Sequence, residues 1–149
     1  MVNRVHENIS QSSRGGLCDR RDMVELIRRR ADMLCGMDRV MMDMYLKNGN
    51  SFRQMARLAG INEANVGRRI KKIIKRLVEG KYIVCLRNRE RFSREEMAIA
   101  KDYFLMGISM RKIAERGGIK YCYVRKVVEG IEGKIERADE RQQTRGNSF

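Results

Sequence analysis

Shifted by 58 positions, the chain aligns with itself without a gap. Tyr45 falls on Tyr103, Gly49 on Gly107, Ser51 on Ser109, Arg53 on Arg111, Ala56 on Ala114, Gly60 on Gly118, Ile61 on Ile119 and Val66 on Val124. Conservative pairs extend the match: Met41 with Ile99, Leu46 with Phe104, Met55 with Ile113, Arg68 with Lys126, and Ile70 with Val128. The matched positions are glycines and apolar residues, where turns and cores make their demands. Two copies of one structural unit therefore occupy 37–79 and 93–136. Two copies do not make a solenoid, which needs about three repeats to bury a continuous core.

Within a copy the apolar period is helical. Val40, Met41, Met44 and Tyr45 recur at three and four and stop at Asn48-Gly49. Ser51 with Gln54 reads as a capping box opening a short helix over 52–58. Gly60 breaks that helix, and a second, from near Asn62, carries Val66, Ile70, Ile73, Ile74 and Leu77 on one face up to Gly80. The second copy repeats the plan. Ser93 with Glu96 caps a helix over Arg94–Met106, Ser109 caps 110–116, Gly117-Gly118 makes the turn, and a last helix runs from Tyr121 to Glu136.

The expected fold is all-α, with two tandem three-helix units, an extra N-terminal helix and a short linker. Asp19–Leu34 is the added helix, with Met23, Leu26, Ile27, Ala31 and Leu34 on one side, so 19–79 forms the first unit. Residues 80–92 are the linker, where Tyr82–Leu86 has the composition of a short strand or an apolar strap. The second unit is 93–136. Residues 1–18 and 137–149 are polar, lack a period, and read as disordered ends.

Charge narrows the function. The chain of 149 residues has 33 Lys+Arg against 19 Asp+Glu, a formal net charge of +14. The excess is uneven: 37–79 holds ten basic against four acidic residues, 80–92 four against one, and 93–136 nine against seven. Clustered positive charge predicts a polyanionic partner, most often nucleic acid. The longest uncharged stretch in the apolar part, Tyr103–Met110, falls far short of the about 20 residues a membrane span needs, so no membrane partner is expected. No apolar N-terminal signal is present, which predicts a cytoplasmic protein, and a nucleic-acid partner would associate it with the nucleoid. Cys18, Cys35, Cys85 and Cys122 are scattered, and the single His is His6, so neither a metal site nor a cofactor is expected.

The pattern Ala56-x3-Gly60-x5-Val66, repeated as Ala114-x3-Gly118-x5-Val124, is that of a helix-turn-helix. Two helices crossing steeply need a small residue where they face each other, hence the alanines. The turn needs a left-handed backbone position, hence the glycines. Met55, Ile61, Val66 and Ile70, with Ile113, Ile119, Val124 and Val128 in the second copy, are expected to pin the helices together. Each copy resembles the DNA-binding region four of bacterial RNA polymerase sigma factors. The stretch Ser51-Phe52-Arg53-Gln54-Met55-Ala56-Arg57-Leu58-Ala59-Gly60-Ile61 is similar to that family's segment before the turn, and Asn65-Val66-Gly67-Arg68-Arg69-Ile70 to its recognition-helix core. Val127 stands where the first copy has Arg69, and no stretch resembles the sigma region that binds core polymerase. The resemblance implies a sigma-like regulator that binds double-stranded DNA, with RNA polymerase as a further candidate partner.

The second helix of such a motif presents its N-terminal side chains to base edges in the major groove. The base-contact candidates are Asn62, Glu63, Asn65 and Arg68 in the first copy, and Lys120, Tyr121, Tyr123, Arg125 and Lys126 in the second. Asn pairs bidentately with adenine and Arg with guanine, Glu accepts from cytosine, and the tyrosines suit thymine methyls or phosphate. Ser51 and Arg53, with Ser109 and Arg111, are phosphate candidates at the short-helix starts. Arg69, Lys71, Lys72, Lys75 and Arg76 are phosphate candidates along the second helix.

No catalysis is expected. The repeats contain no His for a Ser-His dyad, and no G-x-x-x-x-G-K loop occurs. If extended, the thirteen residues 80–92 would span at most about 43–47 Å, enough to place both copies on successive major grooves about 34 Å apart. A rival reading is a protein-interaction module with little DNA contact, which the weaker charge of the second copy suits.

Overall fold

A computed structural model describes residues 20–146, and every regular element among them is helical. The disorder expected for 1–18, and for the tail beyond 146, falls outside the described residues. The chain divides into two compact units between Glu79 and Gly80.

The first unit contains α1 (Arg20–Ala31), α2 (Gly36–Leu46), α3 (Phe52–Ala59) and α4 (Glu63–Glu79). Helix α4 is the axis of this unit. Its Val66, Ile70, Ile73, Ile74 and Leu77 are buried at the three-four spacing read from the sequence. Helices α1, α2 and α3 all pack on it, and they bury Ile27 and Ala31, Met41, Met42 and Tyr45, and Met55 and Ala56 respectively. Each of the larger side chains contributes about 1.5–3 kcal/mol of transfer free energy when fully removed from water.

Local chemistry fixes the corner between α3 and α4. Ser51 Oγ accepts from the Gln54 amide, and Gln54 Oε1 accepts from the Ser51 amide at 2.9 Å, closing the capping box. Helix α3 ends at Gly60, whose φ of +66° is the left-handed region that a Cβ would strain. The Gly60 and Ile61 amides both donate to the Ala56 carbonyl. Gly67 of α4 brings the backbone close to α3: a Cβ there would lie 3.5 Å from the Phe52 ring. Two expected core positions are not core. Val40 is exposed on α2, and Ile61, just past the left-handed glycine, is 39% exposed and does not pin the helices.

Helix α1 also completes α4. The Arg30 guanidinium donates to the carbonyls of Leu77 at 2.6 Å and Val78 at 3.2 Å. These belong to the last turn of α4, whose carbonyls have no partner within the helix. A cation at that end also opposes the negative pole of the helix dipole.

The second unit contains α5 (Lys81–Arg87), a 3-10 turn (Arg89–Arg91), α6 (Arg94–Ala100) running into a π-helical turn (Lys101–Leu105), α7 (Met110–Gly117) and α8 (Tyr121–Gly146). The expected linker 80–92 is thus corrected: it is helical and belongs to this unit. Cys85 is fully buried in the core with Ile99, Phe104, Val124 and Ile131, and Tyr82 and Val84 pack against that core. Asn88 Nδ2 donates to the Val84 carbonyl at 2.9 Å and helps close the helix. The strand-like composition of Tyr82–Leu86 gives way to tertiary packing. Seven helical residues advance only about 10 Å, so the extended reach expected of this segment is absent.

The tail is corrected as well. Helix α8 runs on through Gly146, and Ile135 and Ala138 are buried, so the core side of the helix continues past the expected end at 136. Helix α6 does not run straight to Met106. Its π-helical turn brings the adjacent Phe104 and Leu105 both into buried positions. The repeat is otherwise kept to the residue: α3 and α7 begin at 52 and 110, α4 and α8 at 63 and 121, and Gly60 and Gly118 share the left-handed turn at φ +66° and +61°.

Candidate nucleic-acid interface

The solvent side of α4 is a cationic stripe. Arg68, Lys71, Lys72 and Lys75 lie at i, i+3, i+4 and i+7, opposite the buried isoleucines, and all four are exposed. Lys75 has a loose contact, 3.9 Å, with Glu79. Arg53 and Arg57 of α3 are exposed in the same unit.

The other two basic residues of α4 face elsewhere. Arg69 and Arg76, seven residues apart, lie on one flank and share Asp38 of α2. Arg69 Nη2 is 2.8 Å from one carboxylate oxygen, and Arg76 Nη2 is 3.2 Å from the other. Asp38 is the one buried charged residue among the described residues, at 7% exposure. Burial pulls the Arg76 pKa down, against the opposing pull of Asp38. Both guanidiniums thus hold α4 to α2; Arg76 is half-buried there, while Arg69 stays exposed.

The start of α4 is polar and self-paired. Asn62 Oδ1 accepts from the Ala64 amide at 2.8 Å and so caps the helix. Glu63 is exposed in the first turn. Asn65 Oδ1 accepts from Arg68 Nη1 at 3.1 Å, so two base-contact candidates meet on one turn. Ser51 and Ser109 are both N-caps, with Ser109 Oγ accepting from the Lys112 amide. Arg53 and Arg111, two residues on, are exposed.

The same place in the second unit is electrically different. Lys120, Tyr121, Tyr123, Arg125 and Lys126 are all exposed at the start of α8. The Tyr123 hydroxyl donates to Glu95 Oε2 at 2.9 Å, and that bond raises the phenol pKa. Arg125 is held by Glu129 at 3.0 Å, which raises its pKa in turn. Val127 sits where Arg69 stands, half-buried against the core.

One ion pair that sequence reasoning missed is itself repeated. Lys134 Nζ lies 3.2 Å from Glu96, and these residues are Arg76 and Asp38 shifted by 58. The signal was present, since both members keep their charge sign across the repeat. Reading the copies separately hides it, because the partners are 38 residues apart. Glu95 was also missed, because it pairs with Tyr123 across 28 residues.

Among the described residues, no cluster of His, Cys, Asp and Glu is placed to hold a metal ion. None of their helices is long and apolar enough to cross a membrane. No family model, curated protein or solved structure matches the chain.

Proposed function

We propose that the chain is a sequence-specific double-stranded DNA-binding protein, a transcription regulator or sigma-like factor, built from two helix-turn-helix units. Helices α4 and α8 are its recognition helices. The observation that carries this is the exposed stripe Arg68, Lys71, Lys72 and Lys75. It runs about 10 Å along a helix, and a helix of that girth fits the major groove, about 12 Å wide. In that position Asn65 and Arg68 face base edges while Lys71, Lys72 and Lys75 face the flanking phosphates.

The test is selection of bound sequences from a random duplex pool by the full chain, followed by titration of the enriched site against salt. Enrichment of a defined site, with affinity falling steeply as salt rises, is the expected result. A pool that stays random, with a flat salt response, overturns the reading.

The charge balance of the second unit supports a second reading. There Arg125 pairs with Glu129 beside exposed Tyr121 and Tyr123, a mixture common at protein interfaces. On that reading the chain docks on RNA polymerase or another transcription partner, and co-purification with polymerase at salt that dissociates DNA would favour it.

A further inference from the structure

The two copies present different surfaces at equivalent positions. Of the four cations on the α4 stripe, only Arg68 has a basic counterpart in α8, namely Lys126. Lys71 is replaced by Glu129, Lys72 by Gly130 and Lys75 by Gly133. A Cβ at Gly130 would meet nothing within 4 Å, so the place of Lys72 is open space in α8.

The start of the helix differs too. Glu63 and Asn65 of α4 correspond to Tyr121 and Tyr123 of α8, exposed by 48% and 44%. Position 37 in the first unit is an exposed Met, and its counterpart is Glu95, which holds the Tyr123 hydroxyl. Each helix start thus has a carboxylate near it, but in α4 it is Glu63 on the helix itself, whereas beside α8 it is Glu95, brought from α6. Arg125, which would otherwise add positive charge there, is already paired with Glu129.

We propose that the copies divide the work on DNA: the first, besides the base contacts of Asn65 and Arg68, supplies most of the phosphate contacts through Lys71, Lys72 and Lys75 of α4, and the second reads bases through the opening turn of α8 with Tyr121 and Tyr123 and adds few phosphate contacts. The proposal rests on the DNA-binding reading above. The physical ground is that each neutralised phosphate releases counterions and steepens the dependence of log affinity on log salt by about 0.9. A helix face with Glu129, Gly130 and Gly133 in place of three lysines releases fewer. Aromatic rings instead discriminate by packing, for which the thymine methyl is the apolar feature of the major groove. Glu95 is a positioning residue here, since it fixes the Tyr123 ring by its hydroxyl.

The experiment uses the full chain and the selected duplex, with binding measured across a salt series. The variant Lys71→Gln/Lys72→Gln/Lys75→Gln should lower the slope by about 2–3, at about 0.9 per lost contact, without changing the preferred sequence. Tyr121→Ala/Tyr123→Ala should leave the slope unchanged and erase the preference at one edge of the site. Glu95→Gln should keep the slope and weaken that same preference. The division fails if Lys120→Gln/Arg125→Gln/Lys126→Gln lowers the slope as much as the α4 variant does, or if the tyrosine variant keeps full preference. If the unaltered chain binds no duplex, the failure lies with the DNA-binding reading itself.

Discussion

Arg76 lies 3.2 Å from Asp38, and no other ion pair among the described residues is as enclosed. Removing one partner of such a pair strands the other in a poorly hydrated place. Asp38→Ala should therefore destabilise the first unit by about 2–3 kcal/mol, somewhat below the ~3–5 of a fully buried pair because Arg76 keeps some solvent. Lys134→Met breaks the more open counterpart and should cost the second unit only about 0–1 kcal/mol. Urea unfolding followed separately for the two units checks both values.

Gly60 and Gly130 should respond to substitution with opposite signs. Gly60→Ala adds a Cβ that touches nothing yet must hold φ at +66°, so the cost is purely backbone, about 1–2 kcal/mol, and Gly60→Asn should cost less. Gly130→Ala sits in the interior of α8 with open space around it and should stabilise the second unit by about 0.5–1 kcal/mol. Thermal midpoints of the three variants give the comparison.

The caps should rank by how many bonds they close. Ser51→Ala and Ser93→Ala each dismantle a reciprocal capping box and should cost about 1–2 kcal/mol. Ser109→Ala removes a single bond, 3.3 Å long, to the Lys112 amide, and should cost about 0.5–1 kcal/mol. Denaturant midpoints should fall in that order.

Cys85 should titrate late. Burial raises its thiol from the ordinary 9.0 to about 11. The folded state thus favours the neutral thiol, and this contribution is complete below pH 9 and lost as pH climbs from 9 towards 11. At pH 8 a thiol-alkylating reagent should modify exposed Cys122 and leave Cys85 untouched until the second unit unfolds. Peptide mapping by mass spectrometry distinguishes the two.

The parts of this molecule governed by neighbours in sequence were legible in advance. Ser51 with Gln54, Ser93 with Glu96, the left-handed Gly60 and Gly118, and the buried stripe from Val66 to Leu77 are all decided within one or two helical turns. What failed depended on distant partners. Tyr82–Leu86 is helical because Cys85 finds a core to enter. Arg76 reads as a surface cation until Asp38, 38 residues away, draws it, with the still exposed Arg69, to one flank of α4. Tyr123 reads as unattached until Glu95 is seen beside it. The exposed stripe of α4 was legible only in part, because the sequence marked six basic residues and the fold turns two of them aside.

The Arg30 contacts with Leu77 and Val78 have a practical meaning for anyone trimming this molecule. The smallest portable piece of the first unit includes α1, from Arg20, even though the repeat itself begins near residue 37. A fragment cut at the repeat would lose the guanidinium that seals the far end of α4. It would then fray from that end, carrying Lys75 with it.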